Sequence, residues 1–456
     1  MRCYYLRMRE VKLFNSLGNK KETFVPLQKG KVSFYVCGPT VYNDPHIGNF
    51  RPVIVFDAWR RLFLRLGYQV TFVSNYTDVD DKIINRAKQL GITESELTES
   101  VIRSFSSLVE EVGSMQPDIT PRPTVYMNEM ISYIGDLVDN GSAYEASNGD
   151  VYFKVESVEG YGELSGNTPE SLNAGARIEV KDGKLSPLDF ALWKKTDEGI
   201  QWDTPWSKGR PGWHTECCVM INAIFKDQGG YIDIHGGGFD LKFPHHENEI
   251  AQSKAHNHNG LARYWLHNGF INIDDEKMSK SLGNVVLAKD VVAQYGGMPF
   301  RLMVLNTHYR APLTFTDKTI QEAETNFSKI KTALKSAEIK LQLRGVDISA
   351  LRGDEENEFF DALCDDLNTP NALSVLYAEV KTLNQLLRVR EIDEAALGLS
   401  YGRIRDYLAT LGLRIDAIVL SEEDKQAYKA YEQAKAEKRF EDADKIRSSL
   451  MEKGVF

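Results

Sequence analysis

The pattern of apolar and polar positions near the start of the chain predicts a strand, a helix and a second strand in close succession. Apolar residues dominate positions 32–36, which lead into a Gly-Pro turn at 38–39. From 51 to 66 they recur at helical spacing, and Gly67 ends that segment. Residues 70–73 form the next predicted strand. This order is typical of a βαβ unit, so we predict a parallel sheet of the nucleotide-binding type.

The pattern changes further along the chain. Thr77 and Asp80 have the spacing of a helix N-terminal box, which predicts a helix from about residue 80. Between about 120 and 206, short helices alternate with strand-like pieces such as 151–155, so we predict an insertion that splits the sheet, which resumes near 231–235. Beyond 316 the pattern is helical, and the long periodic segments are 318–343, 355–387 and 422–453. The charged residues 425–453 are expected to form a solvated helical hairpin.

Composition narrows the class of protein. The 456 residues are 42% hydrophobic, which suffices for two to four compact units, and no apolar run approaches the ~20 residues of a membrane span. The first residues lead into a charged segment, so we expect no secretory signal and a cytoplasmic location. Five irregularly spaced cysteines favour metal or catalytic roles over disulfides. A net charge of −10 by itself disfavours nucleic acid, although local basic strips can still bind it.

The first motif with chemical meaning is PHIGN, residues 45–49, which follows the first strand and precedes the first helix. The start of a helix offers unpaired backbone N–H groups and a positive dipole end, which favour phosphate. Gly48 permits close approach of a ligand, and His46 can donate to phosphate oxygens. The motif is short, so by itself it supports a phosphate site and a simple turn equally.

The second motif is the lysine loop KMSKS, whose residues are Lys277, Met278, Ser279, Lys280 and Ser281. Two lysines and two serines supply the positive charge and hydroxyl donors that stabilise a departing pyrophosphate. The alternative is an exposed basic surface loop. A pentapeptide of this kind is much more specific than the first motif, so the pair favours a nucleotide site.

A third set of residues has the chemistry of a metal site. It consists of Cys37, Cys217, His245 and Glu249. Two thiolates, an imidazole and a carboxylate can hold zinc tetrahedrally, and a spacing of four places His245 and Glu249 on one face of a helix. Spacing alone leaves the neighbouring His246 and Cys218 as alternatives.

The two phosphate motifs resemble the His-Ile-Gly-His and Lys-Met-Ser-Lys-Ser signatures of class I aminoacyl-tRNA synthetases. One departure is visible, because Asn49 stands where the class signature has its second histidine. An asparagine amide can still donate a hydrogen bond to phosphate or ribose oxygens. Four longer runs resemble the cysteinyl-tRNA synthetase family in particular: YVCGPTVY at 35–42, NYTDVDDKII at 75–84, GWHTEC at 212–217 and IHGGGFDLKFPHHENEI at 234–250.

The resemblance implies roles for the site residues. The four proposed ligands would hold one Zn²⁺, to which the substrate thiolate binds directly. Thr77 and Trp213 would line the cysteine pocket, and Asp240 would meet the substrate ammonium. Each of the three also has a structural explanation, since Thr77 could cap a helix, Trp213 could be core, and the glycines before Asp240 could form a flexible turn. The remaining histidines at 256, 258, 267 and 308 are assigned to surface or core.

The function implied is a cysteine–tRNA ligase. L-cysteine would react with Mg²⁺-ATP to give cysteinyl-adenylate, with His46, Asn49, Lys277 and Lys280 as catalytic residues, and would then pass to the terminal adenosine of tRNA(Cys). Gly48, Met278, Ser279 and Ser281 would complete the ATP-binding set. A metal that binds sulfur would reject serine without an editing domain. We expect a monomer with no membrane partner.

The fold class expected is α/β, with a Rossmann-type parallel-sheet catalytic domain over 1–315, an inserted connective subdomain and a helical C-terminal tRNA-binding region. We expect the helical region to divide into a bundle over 316–410 and an anticodon-binding part over 411–456, which by the resemblance would end before a final family segment. Two alternatives remain: a cysteine ligase with an amino-sugar acceptor, against which the long helical portion argues, and a non-catalytic protein in which zinc only stabilises the fold.

Overall fold

The structure is a computed structural model, and it describes residues 9–167, 183–273, 276–277, 285–354 and 357–456. The strands are β1 Lys12–Asn15, β2 Lys20–Thr23, β3 Lys31–Val36, β4 Gln69–Ser74, β5 Ala143–Glu145, β6 Val151–Phe153, β7 Phe190–Lys195, β8 Gly209–Pro211, β9 Ile232–Gly238, β10 Ala262–Asn268, β11 Ile271–Ile273, β12 Glu276–Lys277 and β13 Leu313–Phe315. The helices of the first 305 residues are α1 Ile47–Arg65, α2 Asp81–Leu90, α3 Glu94–Glu111, α4 Met127–Asp139, α5 Trp213–Ile224, α6 Glu247–Asn257, α7 Ala288–Tyr295 and α8 Gly297–Leu305. Those that follow are α9 Asp317–Leu343, α10 Glu358–Cys364, α11 Thr369–Arg388, α12 Glu394–Leu411, α13 Glu422–Ala436 and α14 Phe440–Glu452.

A parallel sheet of four strands, in the order β10-β9-β3-β4, forms the centre of the fold. Each neighbouring pair is parallel, with Phe34 opposite both Phe72 and Ile234. Helix α1 connects β3 to β4, as the periodicity at 51–66 predicts, and it buries Trp59 and Phe63 completely. The α/β fold class with a parallel sheet is therefore confirmed.

The glycine run before Asp240 lies within a strand and is not a flexible turn. Gly236 and Gly237 belong to β9 and pair with β10. A Cβ atom at Gly236 would lie 2.6 Å from the ring of Phe56 on α1, and one at Gly237 would lie 2.9 Å from the imidazole of His246. The glycines are needed because helix and histidine approach the strand too closely for any side chain.

A second sheet is formed by strands that lie in the sequence between β4 and β9 of the first sheet. Strands β5 to β8 form it in sequence order, and all its neighbours are antiparallel. It packs with helices α4 and α5 around a second apolar cluster, in which Trp193 and Phe153 are fully buried and which also includes Tyr35 and Trp265 of the central sheet. This cluster also includes Cys217 and Cys218 on α5, so it forms one wall of the region that contains the predicted metal ligands.

The helical part of the chain is more divided than its periodicity predicts. Residues 355–387 do not form one helix, because the chain turns between α10 and α11, where Asp366 and Leu367 adopt positive φ angles of 61° and 47°. Asn368 then caps α11 by accepting a hydrogen bond from the backbone N–H of Asn371 at 3.2 Å, and Pro370 occupies the first turn. Residues 422–453 form the helical hairpin α13–α14.

The predicted N-terminal box at Thr77 is wrong. Helix α2 begins at Asp81, and its cap is Asp80, whose carboxylate accepts from the backbone N–H of Lys82 at 2.8 Å. Thr77 lies before the helix, where its backbone pairs with that of Thr40. The Thr77 hydroxyl is therefore available for a different contact. Within the described residues, no helix combines the length and apolar character needed to cross a membrane.

Candidate active site

The carboxyl ends of the parallel strands open into one cavity of about 680 Å³. Cys37, directly after β3, and Asp240, after β9, both line it. Its opposite wall is the start of helix α1, with His46 and Asn49. In open α/β sheets, ligands bind in the crevice beyond the carboxyl ends of the strands, so this cavity is the expected position of a substrate site.

The structure brings the four predicted metal ligands together at one end of this cavity. One donor atom from each of Cys37, Cys217, His245 and Glu249 lies within 4.8 Å of all the others. The two sulfur atoms are 3.6 Å apart, the Nε2 atom of His245 is 3.0 Å from Oε1 of Glu249 and 3.9 Å from the sulfur of Cys217, and the Cys37 sulfur is 3.9 Å from the same Glu249 oxygen. Cys217, His245 and Glu249 are buried, whereas Cys37 is partly exposed.

These distances fit one tetrahedral ion. Donor atoms bonded to zinc at about 2.0–2.3 Å lie about 3.3–3.8 Å from one another in a tetrahedron. The measured separations of 3.0–3.9 Å scatter around that range. The donor set, with two sulfurs, one imidazole nitrogen and one carboxylate oxygen, also matches the preference of a borderline-soft ion.

A second group of possible ligands shares two members with the first. His235 and His246 also lie within 4.8 Å of Cys37 and Glu249. The Nε2 atom of His235 is 2.7 Å from Oε2 of Glu249, the oxygen that does not contact His245, so His235 lies as a hydrogen-bond partner of Glu249. The Nε2 atom of His246 is 3.3 Å from the sulfur of Cys37. The sulfur of Cys218, the other alternative, is 3.5 Å from the backbone carbonyl of Glu249.

Further side chains orient Cys37, Cys217, His245 and Glu249, which are called the metal cluster below. His235 contacts Glu249 as described, and Nδ1 of His214 lies 3.0 Å from Nδ1 of His245. The indole of Trp213 stacks on the His245 ring at 4.1 Å and is 39% exposed, so Trp213 belongs to the site and not to the core. Contacts of this kind fix the orientation of a ligand ring and its tautomer.

Burial shapes the electrostatics of the cluster. It raises the pKa of the Cys37 thiol, and the neighbouring Cys217 raises it further. A hydrogen bond from Cys37 lowers the pKa of Cys217 to about 7 in spite of its burial. Burial alone would also raise the pKa of Glu249, but His235 and His245 hold it well below its ordinary value. Cys217 and Glu249 therefore favour their ionised forms, which suits the binding of a cation.

Thr77 lies in a buried polar contact beside the metal cluster. Its hydroxyl donates to Glu216 at 2.9 Å and accepts from the Asn75 amide at 3.2 Å. The side-chain oxygen of Asn75 in turn accepts from the backbone N–H of Gly38, next to Cys37, at 2.9 Å. Burial, followed by the neighbouring Cys217, raises the pKa of Glu216 well above its ordinary value.

The start of helix α1 lies in the cavity, where the first motif predicts a phosphate site. His46 is the cap residue, and its backbone N–H donates to the side-chain oxygen of Asn49 at 3.0 Å. Because this bond uses the oxygen of Asn49, its Nδ2 group is the part that can donate to a ligand. Gly48 lines the cavity between the two side chains.

The segment that follows the lysine loop lies close to this helix start. After the loop, Val286 accepts from the backbone N–H of Ile47 at 3.0 Å, and Ala288 donates to the carbonyl of Pro45 at 3.0 Å. Before the loop, strand β11 pairs with β12, which ends at Lys277. Met278, Ser279, Lys280 and Ser281 lie outside the described residues, as does the side chain of Lys277.

Histidines that contribute to the site were not singled out from the sequence. His267, assigned to surface or core, is buried, and its Nε2 lies 2.8 Å from Nδ1 of His246. Its other ring nitrogen is 2.8 Å from the hydroxyl of Ser16. His235 lies within the run 234–250 that resembles the family, but no role was assigned to it, whereas for His267 the available signal was a polar residue within a largely apolar strand.

Two families match parts of the chain. Residues 23–325 match "tRNA synthetases class I (C) catalytic domain", and residues 358–416 match "DALR domain". Two solved structures are similar in fold. Mycobacterium tuberculosis methionyl-tRNA synthetase in complex with methionyl-adenylate has a TM-score of 0.61 at 15% identity, and covers 84% of this chain and 89% of that chain. The Agrobacterium radiobacter K84 agnB2 LeuRS–tRNA–LeuAMS complex has a TM-score of 0.59 at 12% identity, with coverages of 85% and 84%.

The fold and the family match define a class I aminoacyl-tRNA synthetase. Curated relatives identify the family within that class. "Cysteine--tRNA ligase" of Acholeplasma laidlawii is 45% identical over 444 residues, 97% of this chain and 99% of the relative. The protein of the same name from Halalkalibacterium halodurans is 44% identical over 453 residues, with coverages of 98% and 96%. The chain therefore belongs to the cysteine–tRNA ligase family, as the resemblance implies.

Proposed function

We propose that the chain activates L-cysteine with Mg²⁺-ATP, transfers it to tRNA(Cys), and selects cysteine through a zinc ion. The observation that supports this best is the convergence of four donor atoms within 4.8 Å beside Cys37, which lines the same cavity as His46 and Asn49. A site for a thiol and a site for phosphates are thus adjacent in one cavity. That adjacency suits a reaction between cysteine and ATP.

Cys37, Cys217, His245 and Glu249 would hold the zinc ion. When bound, it supplies a soft Lewis acid that prefers a thiolate to a hydroxyl, which gives a chemical basis for rejecting serine. Trp213 stacks on His245 and lines the cavity, so its indole can bound the cysteine pocket. Thr77, with its hydroxyl held by Glu216, would support the same wall, and the exposed carboxylate of Asp240 would receive the substrate ammonium.

The other end of the cavity would hold ATP. The backbone N–H groups and dipole at the start of α1 favour the phosphates, and His46 with the Nδ2 group of Asn49 would donate to their oxygens. Lys277 and Lys280, with Met278, Ser279 and Ser281, would complete the phosphate site and stabilise the departing pyrophosphate. The cysteine carboxylate would attack the α-phosphate, and the main contribution of the protein is alignment and charge stabilisation.

The helical part of the chain would hold the tRNA. We assign the catalytic domain to 1–315 with its connective insertion at about 120–206, a helical bundle to 316–410, and anticodon recognition to 411–456. The matched DALR domain, 358–416, lies mostly within the bundle. After activation, a ribose hydroxyl of the terminal adenosine would attack the adenylate and release AMP. We further propose that the enzyme acts as a monomer in the cytoplasm.

The test is aminoacylation of total tRNA with radiolabelled cysteine or serine, before and after a chelator, together with cysteine-dependent ATP–pyrophosphate exchange and elemental analysis. We expect about one zinc per chain, charging with cysteine, rejection of serine, and loss of cysteine binding without loss of the fold after chelation. Metal-free protein that still selects cysteine over serine would contradict the zinc part of the proposal. Absence of cysteine-dependent exchange in metal-loaded protein would contradict the whole.

A further inference from the structure

Asp366 connects the helical part of the chain to the catalytic part. It is 1% exposed and lies at the turn between α10 and α11. Its carboxylate accepts from the hydroxyl of Tyr309 at 2.7 Å, from the guanidinium of Arg310 at 2.9 and 2.8 Å, and from the backbone N–H of Phe14 at 2.8 Å. A buried carboxylate with this many donors is held in one position.

The backbone at this turn is in an uncommon conformation. Asp366 and Leu367 both have positive φ, a region that residues with a side chain rarely adopt. Such a conformation persists where surrounding contacts determine it, and Leu367 is buried at 1% exposure. The turn therefore presents the Asp366 carboxylate to the catalytic part in a defined direction.

The segment 308–313, which contains two of the residues bonded to Asp366, forms backbone hydrogen bonds with residues of the cavity wall. The carbonyl of Tyr309 accepts from the backbone N–H of Gly269 at 2.8 Å, and the backbone N–H of Leu313 donates to the carbonyl of Phe270 at 2.9 Å. Gly269 and Phe270 both line the cavity. Strand β13 then pairs in parallel with β11, the strand that leads toward the lysine loop.

Arg51 joins the same segment to helix α1. It is fully buried, and its guanidinium donates to the carbonyls of Phe270 and Ala311 at 2.5 Å each and to that of His308 at 3.3 Å. Burial lowers its pKa to about 10, so it remains a cation at neutral pH. Arg51 lies little more than one turn from His46, which begins α1.

We propose that Asp366 and Arg310 are positioning residues for cysteine activation. Through the segment 308–313 and Arg51, they hold strand β11, which leads toward the lysine loop, in a fixed position relative to the start of α1. This inference rests on the proposed function. The two motifs belong to distant parts of the sequence, and this series of contacts joins the start of α1 to β11, the strand that precedes the lysine loop. The metal cluster is not part of the series, so the network acts on the alignment of ATP and not on the binding of cysteine.

Two variants test the contact. Arg310→Gln removes the charge from a side chain that is 38% exposed, and Asp366→Asn keeps the shape of the buried group. We expect each to lower the kcat of cysteine-dependent ATP–pyrophosphate exchange on the order of ten- to a hundredfold, because misplacement by about 1 Å is enough for such losses. The KM for cysteine and the zinc content should stay within about twofold of the unmodified enzyme, which a general loss of folding would not allow.

The double variant and a matched control separate positioning from stability. If the two residues act through one contact, Arg310→Gln with Asp366→Asn should lose little more than the more impaired single variant. The control is Asp354→Asn, which removes a carboxylate paired with Arg403 at 2.7 and 2.5 Å within the helical part. It can lower the melting temperature, but we expect an unchanged kcat.

The outcomes are distinct. Unchanged kcat in folded Arg310→Gln would overturn the proposal, as would additive losses in the double variant or an equal loss in Asp354→Asn. Should Asp366→Asn fail to fold, Tyr309→Phe replaces it, since this removes one hydrogen bond to the same carboxylate, and a measurable loss of kcat is again expected. Failure of the proposed function would show instead as no exchange in the unmodified enzyme.

Discussion

The two ends of the cavity are built in different ways. At the proposed cysteine end, side chains converge from the residue after β3, from α5, from the turn before α6 and from α6 itself, and neighbouring histidines orient them. At the phosphate end, the start of α1 offers backbone groups with His46 and Asn49, and hydrogen bonds fix the segment that follows the lysine loop. The comparison teaches that, under the proposed function, selectivity would depend on a few donor atoms at fixed separations, whereas activation would depend on the alignment of two chain segments.

This contrast predicts different kinds of failure. Changes at the phosphate end should lower the rate of activation while the metal stays bound. Changes at the cysteine end should release the metal and with it the preference for cysteine over serine.

The largest effect is expected for Lys280→Ala. Loss of a cation that stabilises a departing pyrophosphate should reduce cysteine-dependent ATP–pyrophosphate exchange on the order of a thousandfold. Zinc content should be unchanged, because the metal ligands belong to the other end of the cavity. Lys318→Ala, which changes a lysine that is 84% exposed on α9, is the control and should be fully active. An equal exchange rate in both variants would contradict the proposed role of Lys280 in cysteine activation.

Cys217→Ser should strongly weaken metal binding at the proposed cysteine end of the cavity. A serine hydroxyl is a poor ligand for a soft ion, so we expect metal affinity to fall at least about a hundredfold, more than the loss of an outer contact causes. Competition with a chromogenic chelator measures it. Cys218→Ser is the matched control, since the adjacent sulfur contacts the Glu249 backbone carbonyl at 3.5 Å and a hydroxyl can do the same. Equal metal affinity in both variants would argue against Cys217 as a ligand.

His235→Asn should have a smaller effect at the same end. His235 orients the Glu249 carboxylate at 2.7 Å, and loss of such a partner typically costs 10- to 100-fold in metal affinity. The control His256→Asn alters a histidine that stacks on Tyr133, away from the cluster. If His235→Asn binds zinc as tightly as the control, His235 contributes nothing to the affinity for the ion.

The smallest effect is a dependence of metal affinity on pH. The ligands bind as thiolates, and protons compete with the ion for them. The pKa of Cys217 is about 7 and that of Cys37 is raised, so affinity is highest above pH 7 and falls on acidification. We expect a loss of at least about tenfold between pH 7 and pH 6, measured by the same competition. An affinity that is constant over this range would contradict thiolate ligation.

Local periodicity predicted much of the fold. Strand β3, helix α1 and strand β4 agree with the predicted βαβ unit to within a few residues at each end. Periodicity failed where a tertiary contact intervenes, as at 355–387, because it cannot show that Asp366 will be bound by Tyr309 and Arg310. It failed also at Thr77, whose hydroxyl bonds to Glu216 from a distant helix instead of capping its own.

The sequence by itself determined the α/β class, the order of the elements, the two phosphate motifs and the chemical types available for a metal site. These follow from spacing along the chain and from the chemistry of single side chains. Only the tertiary structure decided how close Cys37 and Cys217 come, why Gly236 must lack a side chain, and that Arg51 joins α1 to Phe270, the residue before β11. The physical reason is that such contacts join residues far apart in sequence, and their distances depend on how the sheet and helices pack together.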